Sequence, residues 1–179
     1  GLPLTRTDAL GNVTTYSYDA RGQRVSVRDA LGRVMRTEYD DAGRPVRFID
    51  AAGAVTETEY DARNQPVRMT DPLGNVTETQ YRADGQITAI IDPLGNTTAY
   101  EYDLAGNRTA VIDARGNRTS YEYDALGRIT KETGPLGGIR LYVYDSAGNL
   151  TSTTDPNSHA YTMTYDALGR RTTLQDPLG

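Results

Sequence analysis

The sequence contains no cysteine and no tryptophan, and only one phenylalanine, one histidine and one lysine. Each scarcity excludes something. Without cysteine there is no disulfide scaffold, no thiolate zinc site and no cysteine nucleophile. With His159 as the sole histidine, a multi-histidine metal centre is excluded. No apolar run approaches the roughly 20 residues of a membrane-spanning helix, and residues 1–7 (GLPLTRT) do not read as a signal peptide. Hydrophobic residues make up only 37% of the 179 positions, against roughly 45–50% in a typical globular domain. A compact core of large aliphatic side chains is therefore not expected. The net charge of −5 argues against nucleic acid as a general partner.

What is present in excess is glycine (18), tyrosine (13) and arginine, with Lys131 the only lysine among 19 basic residues. These residues are periodic. Tyr18 recurs as Tyr39, Tyr60, Tyr81, Tyr102, Tyr123, Tyr144 and Tyr165, always 21 residues apart. Aspartate follows as Asp19, Asp40, Asp61, Asp103, Asp124, Asp145 and Asp166, with Arg82 the exception. Three residues further on stand Gly22, Gly43, Gly85, Gly106, Gly127, Gly148 and Gly169. A second series runs Asp8, Asp29, Asp50, Asp71, Asp92, Asp113, Asp155 and Asp176, with Gly134 in the one vacant place. Its glycines run from Gly11 through Gly32, Gly53, Gly74, Gly95, Gly116 and Gly137 to Gly179. The chain is about eight and a half copies of one 21-residue unit.

Each unit holds two Asp-x-x-Gly tetrads. Aspartate suits the first position of a turn because its carboxylate accepts from backbone N–H groups just ahead. Glycine suits the fourth because it tolerates positive φ. Pro72, Pro93, Pro156 and Pro177 occupy the second position, where φ is already near the required value. Between tetrads lie stretches such as Asn12-Val13-Thr14-Thr15-Tyr16-Ser17-Tyr18, of strand length and composition. No room is left for a helix. The predicted fold is all-β: tandem antiparallel hairpins forming a curved or spiralling sheet, over residues 1–179 as a single array.

Because 21 is odd, two turns of equal pairing parity would send the tyrosines to alternate faces in successive units. The turns must therefore differ in register by one residue. Tyr16 and Tyr18 alternate with a position occupied by Glu38, Glu59, Glu101 and Glu122, and Val25 and Val27 alternate with Ser26, Arg47, Arg68 and Lys131. Placing Tyr and Val on one face requires an even loop after Tyr-Asp and an odd, bulged loop at the Asp-Pro-Leu-Gly type of turn. A single such hairpin is not stable, so stacking of neighbours must build the sheet. Neither end carries a polar cap. A piece of a longer array, or a protomer whose sheet edges pair with other chains, is the expectation.

The segments Tyr-Asp-Ala-Leu-Gly-Arg at 123–128 and 165–170, with Asp-Pro-Leu-Gly-Asn at 71–75 and 92–96, resemble the YD-repeat or Rhs family. The resemblance covers the whole chain. It implies a β-strip that spirals into a hollow shell, which in bacterial polymorphic toxins and in the C component of Tc toxins encloses a toxic C-terminal domain. In teneurins a similar barrel is part of an extracellular scaffold. A bacterial, secreted or cell-surface setting is implied. Members that self-cleave carry an aspartyl autoprotease segment after the repeats. The Asp-Pro pairs at Asp71, Asp92, Asp155 and Asp176 instead lie in ordinary repeat turns.

Candidate sites are read against that repeat. The aspartates fall where turn chemistry wants them, which favours turn capping over calcium binding. Asp40-Asp41 is the only adjacent pair, and it reads as a solvated turn tip. His159 replaces Asn or Arg in a turn that has also lost its glycine. The run Gly134-Pro135-Leu136-Gly137-Gly138 reads as a drifted turn or a bend. The tyrosines read as stacking within the sheet, with a sugar-binding platform as the alternative. Arg44, Arg47, Arg68, Arg128 and Arg170 read as cross-strand ion pairs, with a sulfated or phosphorylated polymer as the alternative. No catalytic, metal or cofactor-binding residue is expected. Three functions stay open. The first is a non-enzymatic wall segment of a cargo-enclosing shell, whose partners are further repeats and an enclosed effector. The second is an extracellular module binding glycan or protein, and the third is a self-assembling fibre.

Overall fold

The structure, a computed structural model, describes residues 1–178, so Gly179 of the second glycine series lies outside the described residues. It contains 17 strands and, among the described residues, no helix. They are β1 (Thr5–Thr7), β2 (Val13–Tyr18), β3 (Arg24–Arg28), β4 (Val34–Tyr39), β5 (Pro45–Ile49), β6 (Val55–Tyr60), β7 (Pro66–Thr70) and β8 (Val76–Tyr81). They continue as β9 (Ile87–Ile91), β10 (Thr97–Tyr102), β11 (Arg108–Ile112), β12 (Arg118–Tyr123) and β13 (Ile129–Thr133). Last come β14 (Ile139–Tyr144), β15 (Leu150–Thr154), β16 (Ala160–Tyr165) and β17 (Arg171–Gln175). Two compact units are distinguished, one of Gly1–Gly85 with Ile90–Asn96, the other of Gln86–Ala89 with Thr97 onward. In the first, β1 to β8 pair antiparallel in chain order. In the second, β10 to β17 do the same.

Both kinds of turn close alike. The Asp19 N–H donates to the Gln23 carbonyl at 2.9 Å and the Gly22 N–H to the Asp19 carbonyl at 3.1 Å; at the next turn Asp29 and Gly32 repeat both bonds at 3.0 Å. This is a three-residue hairpin loop whose last residue needs positive φ. The glycine slots meet that need, as at Gly74 with φ 82°. Asn64 and Ser158 fill two such slots without glycine, at φ 66° and 67°. The Gly134 turn keeps both backbone bonds, at 2.9 Å each, so the loss of its aspartate removes the carboxylate but not the turn.

The parity argument holds, but the bulge lies in the other turn. After Tyr18-Asp19 the register runs Thr15↔Arg28, Tyr16↔Val27, Ser17↔Ser26, then slips to Tyr18↔Arg24. Eight residues separate Ser17 from Ser26, the even spacing required, and the slip supplies it. The same slip recurs at Tyr39, Tyr60, Tyr102, Tyr123, Tyr144 and Tyr165. At the Asp29 turn the pairs Ser26↔Arg36, Val27↔Met35 and Arg28↔Val34 run to the loop unbroken. The odd loop expected there is present and unbulged. Parity fixes only the difference between the two turns, and equal loops at both leave one bulge to be placed on either side.

The two faces differ as predicted. Tyr60 is half-buried and Glu59 exposed, and the same contrast holds at Tyr39 and Glu38, Tyr102 and Glu101, and Tyr123 and Glu122. Among the described residues only Ala89, Ala110 and Met163 are buried apolar side chains. Ala110 is fully covered because Arg118 on β12 reaches across β11 to Glu101 on β10, with two bonds of 2.6 and 2.7 Å. A small residue beneath that pair is what the crossing requires.

Candidate functional site

The repeated Tyr-Asp-x-x-Gly turn edge is where the sequence concentrates its signature, and the structure places its members in one recurring cluster. On the return side of each bulge the ladder to the next hairpin has already stopped. Pairing of β3 with β4 ends at Ser26↔Arg36, while β4 continues to Tyr39. The Tyr39 hydroxyl donates back to the Arg24 carbonyl at 3.2 Å. Tyr60 reaches Pro45 O at 2.9 Å, Tyr81 reaches Pro66 O at 2.9 Å, and Tyr102 reaches Ile87 O at 2.8 Å. Tyr18, Tyr123 and Tyr165 bond the corresponding carbonyls of Pro3, Arg108 and Leu150. In six of these seven bonds the acceptor is the first residue of the preceding return strand; the seventh, Pro3, lies two residues before β1. The phenol thus supplies the cross-hairpin bond beyond the end of the backbone ladder, and its ring fills the splay.

The aspartates cap their own turns. Asp71 Oδ1 accepts from the N–H groups of Leu73 and Asn75, both at 2.8 Å, and Oδ2 accepts from Asn75 Nδ2 at 2.8 Å. Asp124 does the same with Leu126, Arg128 and the Arg128 guanidinium. These bonds favour the ionised form. The Asn75 side-chain amide, then its backbone N–H, holds the Asp71 carboxyl below the ordinary value. The Arg128 side chain, then its backbone N–H, does so at Asp124. Asp40, Asp103, Asp145 and Asp166 are lowered in the same way, Asp40 and Asp166 chiefly by the backbone N–H four residues on. His159 takes the place of the asparagine, its Nδ1 lying 3.1 Å from Asp155 Oδ2. Among the described residues no group of three or more His, Cys, Asp or Glu is arranged to hold a metal ion. Asp41 lies exposed at a turn tip, its carbonyl accepting from Arg21.

A column that sequence reasoning overlooked stitches one turn to the next. Gln23 donates to Gly43 O at 2.8 Å, and Gln86 donates to Gly106 O at 2.6 Å. Arg44 bonds Asp61 O and Asn64 Oδ1, both at 3.0 Å, and its guanidinium lies 4.9 Å from the Tyr60 ring centre. Arg128 reaches Asp145 O at 3.3 Å and lies 4.5 Å from the Tyr144 ring centre. The signal was in the sequence: this position, one after the glycine, is always a long or amide side chain. On the opposite face Arg47 bridges Glu38 and Glu57 at 3.2 and 3.3 Å, and Arg68 bridges Glu59 and Glu78 at 3.5 and 3.0 Å. Lys131 pairs with Glu122 at 2.8 Å. Arg47 and Arg68 thus form the cross-strand ion pairs expected of them, but Arg44, Arg128 and Arg170 do not: each follows the turn glycine and pairs instead with the aspartate of its own turn, Asp40, Asp124 and Asp166.

The arrangement holds a chain together by side-chain bonds from one turn to the next. Comparison with known proteins places it among similar ones. The family model described as RHS Repeat matches residues 1–34, 39–76, 81–118, 102–139 and 144–179. No curated protein sequence matches the chain. Among solved structures, TcdB2-TccC3 without its hypervariable C-terminal region is 22% identical with a TM-score of 0.72, over 91% of this chain and 10% of that one. TcdB2-TccC3-Cdc42 follows at 21% identity and 0.71, over 87% of this chain and 10% of that one. A Tc holotoxin pore of Photorhabdus luminescens is similar at 21% identity and 0.70, over 92% and 10%. The chain spans about a tenth of the length of these structures, and the likeness is one of fold.

Proposed function

The chain belongs to the RHS Repeat family, and on that premise we propose that it is a non-enzymatic wall segment of a β-shell enclosing another polypeptide. The single observation that carries the reading is the turn-to-turn stitching: hydroxyl, guanidinium and amide bonds join each hairpin to the next along the Tyr-Asp edge. A wall must resist opening between its staves, and these are the bonds that oppose it. In this reading the residues 1–179 are one array within a longer one, and the Tyr, Asp and Gly columns are its structural signature rather than a reactive site. Its partners are further repeats and an enclosed effector, in a secreted or cell-surface protein. The likeness of fold to Tc toxin assemblies supports the same role.

The test uses the longer reading frame that contains the array. An unstructured, protease-sensitive segment placed after the repeats is expected to survive a protease that destroys the same segment expressed alone. Equal rates of digestion in the two settings refute the enclosure.

A further inference from the structure

We infer that the row of leucine-tipped turns on one long edge of the first unit is a seam, along which one winding of the wall joins the next, and that its occupant is the Tyr-Asp turn row of another run of the same array. The inference rests on the wall reading above and names the contact that closes the wall. Antiparallel pairing in chain order puts the two turn series of this unit on opposite edges. In the turns that begin at Asp8, Asp29, Asp50, Asp71 and Asp92, no residue between the aspartate and the glycine is charged. Leu10, Leu31, Leu73 and Leu94 project from these tips, each at least 79% exposed. Their backbone is already fixed: the Leu73 N–H donates to Asp71 Oδ1 at 2.8 Å, and the Leu94 N–H to Asp92 Oδ1 at 2.9 Å. On the Tyr-Asp edge of the same unit every tip bears a charge, at Arg21, Asp41, Arg63 and Asp84.

A band one hairpin wide encloses a volume only where its long edges meet. In a band wound in one sense, the edge of one winding meets the opposite edge of the next. Each turn uses its closing backbone bonds within its own loop, so the side chains at the tips must make the contact. Rows of exposed apolar side chains mark such contacts. The second unit, taken by itself, shows that a Tyr-Asp edge can carry the matching surface. Its four tips there are uncharged, and Leu104, Leu126 and Leu168 are exposed on them. Spacing favours the same occupant. Tips of one series stand two strands apart, about 9.6 Å, and another run of these hairpins presents its own apolar tips at that interval along the whole seam. A lipid surface or an unrelated domain has no such period. Because both rows belong to one polypeptide, each holds the other at high effective concentration, and the seam does not need the area of an interface between free chains.

The test uses the complete product encoded around the array. Benzoylphenylalanine placed at position 73 and irradiated is expected to link to Tyr-Asp turns of distant repeats in the same polypeptide, identified by mass spectrometry of the digest. In the double variant L73D/L94D, a protease-sensitive segment after the repeats is expected to be digested as fast as the segment expressed alone. The same double variant of the 179-residue chain is expected to keep its Tm, because both leucines stand clear of the fold. Links to lipid, to another polypeptide or to a segment outside the repeats would overturn the seam, as would an absence of links. Full protection in L73D/L94D would overturn it too, and so would a lowered Tm of the shorter chain, since the tips would then serve the fold. If the segment is digested equally fast in the unaltered product, it is the enclosure that fails, and the links from position 73 decide the seam on their own.

Discussion

Replacing Tyr60 by phenylalanine removes one hydroxyl and leaves the ring in place beneath Arg44. The hydroxyl donates to Pro45 O at 2.9 Å, and that carbonyl stands where the backbone ladder between hairpins has ended. Net loss of one such bond costs about 1 kcal/mol. Cation–π stacking with Arg44, 4.9 Å from the ring centre, survives the change. For a chain of this length about 1 kcal/mol lowers Tm by roughly 2–4 °C. Tyr60→Ala also loses the ring, and is expected to cost about twice as much or more. Neighbouring tyrosines stand two strands apart, about 9.6 Å, far enough for their effects to add. Tyr39→Phe with Tyr60→Phe should therefore cost about 2 kcal/mol, measured by urea unfolding and differential scanning calorimetry. If Tyr60→Phe matches the wild type within error while Tyr60→Ala is strongly destabilised, the ring alone matters and the hydroxyl argument fails.

Other expectations are open to similar measurements. Ser158→Gly relieves positive φ at a non-glycine residue and should stabilise by about 0.5–1 kcal/mol, whereas Asn64→Gly also loses the bond from Arg44 to Asn64 Oδ1 and should gain less. Gly74→Ala, which meets no neighbour within 4 Å, should cost about 1–2 kcal/mol by backbone strain alone. Reversed signs in urea titrations would refute the turn assignment. The turn carboxylates, Asp71 and Asp124 among them, are held below their ordinary value of 3.8. Their stabilisation is thus fully present above about pH 4 and lost as pH falls through the lower folded values. Stability at pH 3 should be below that at pH 7, and an Asp71→Asn variant should show less of this loss; stability that rises on acidification refutes it. Arg68→Gln should cost less than about 1 kcal/mol at low salt and nearly nothing at 1 M salt, because the Glu59 side chain is exposed and that of Glu78 about half exposed.

Much of this was legible in the residues themselves. The 21-residue beat of Tyr18 and its successors, the Asp and Gly turn slots and the two-faced strands follow from local chemistry that acts the same way in every copy. The bulge after Tyr-Asp was not, because parity constrains only the difference between two turns, and the residue in the slip, Val25 or Thr109, carries no signal of its own. Nor was the tyrosine's acceptor. A carbonyl such as Pro45 O is 15 residues away, and it is exposed to Tyr60 only because the ladder stops short. The Gln23, Arg44 and Arg128 column was visible as a pattern. Its target, the next turn's carbonyls, depends on how hairpins stack.

Electron microscopy of the complete product encoded around this array tests the central claim most directly. The account predicts closed hollow particles with a continuous β wall and additional density inside. Open sheets, filaments or solid particles with nothing enclosed would contradict it.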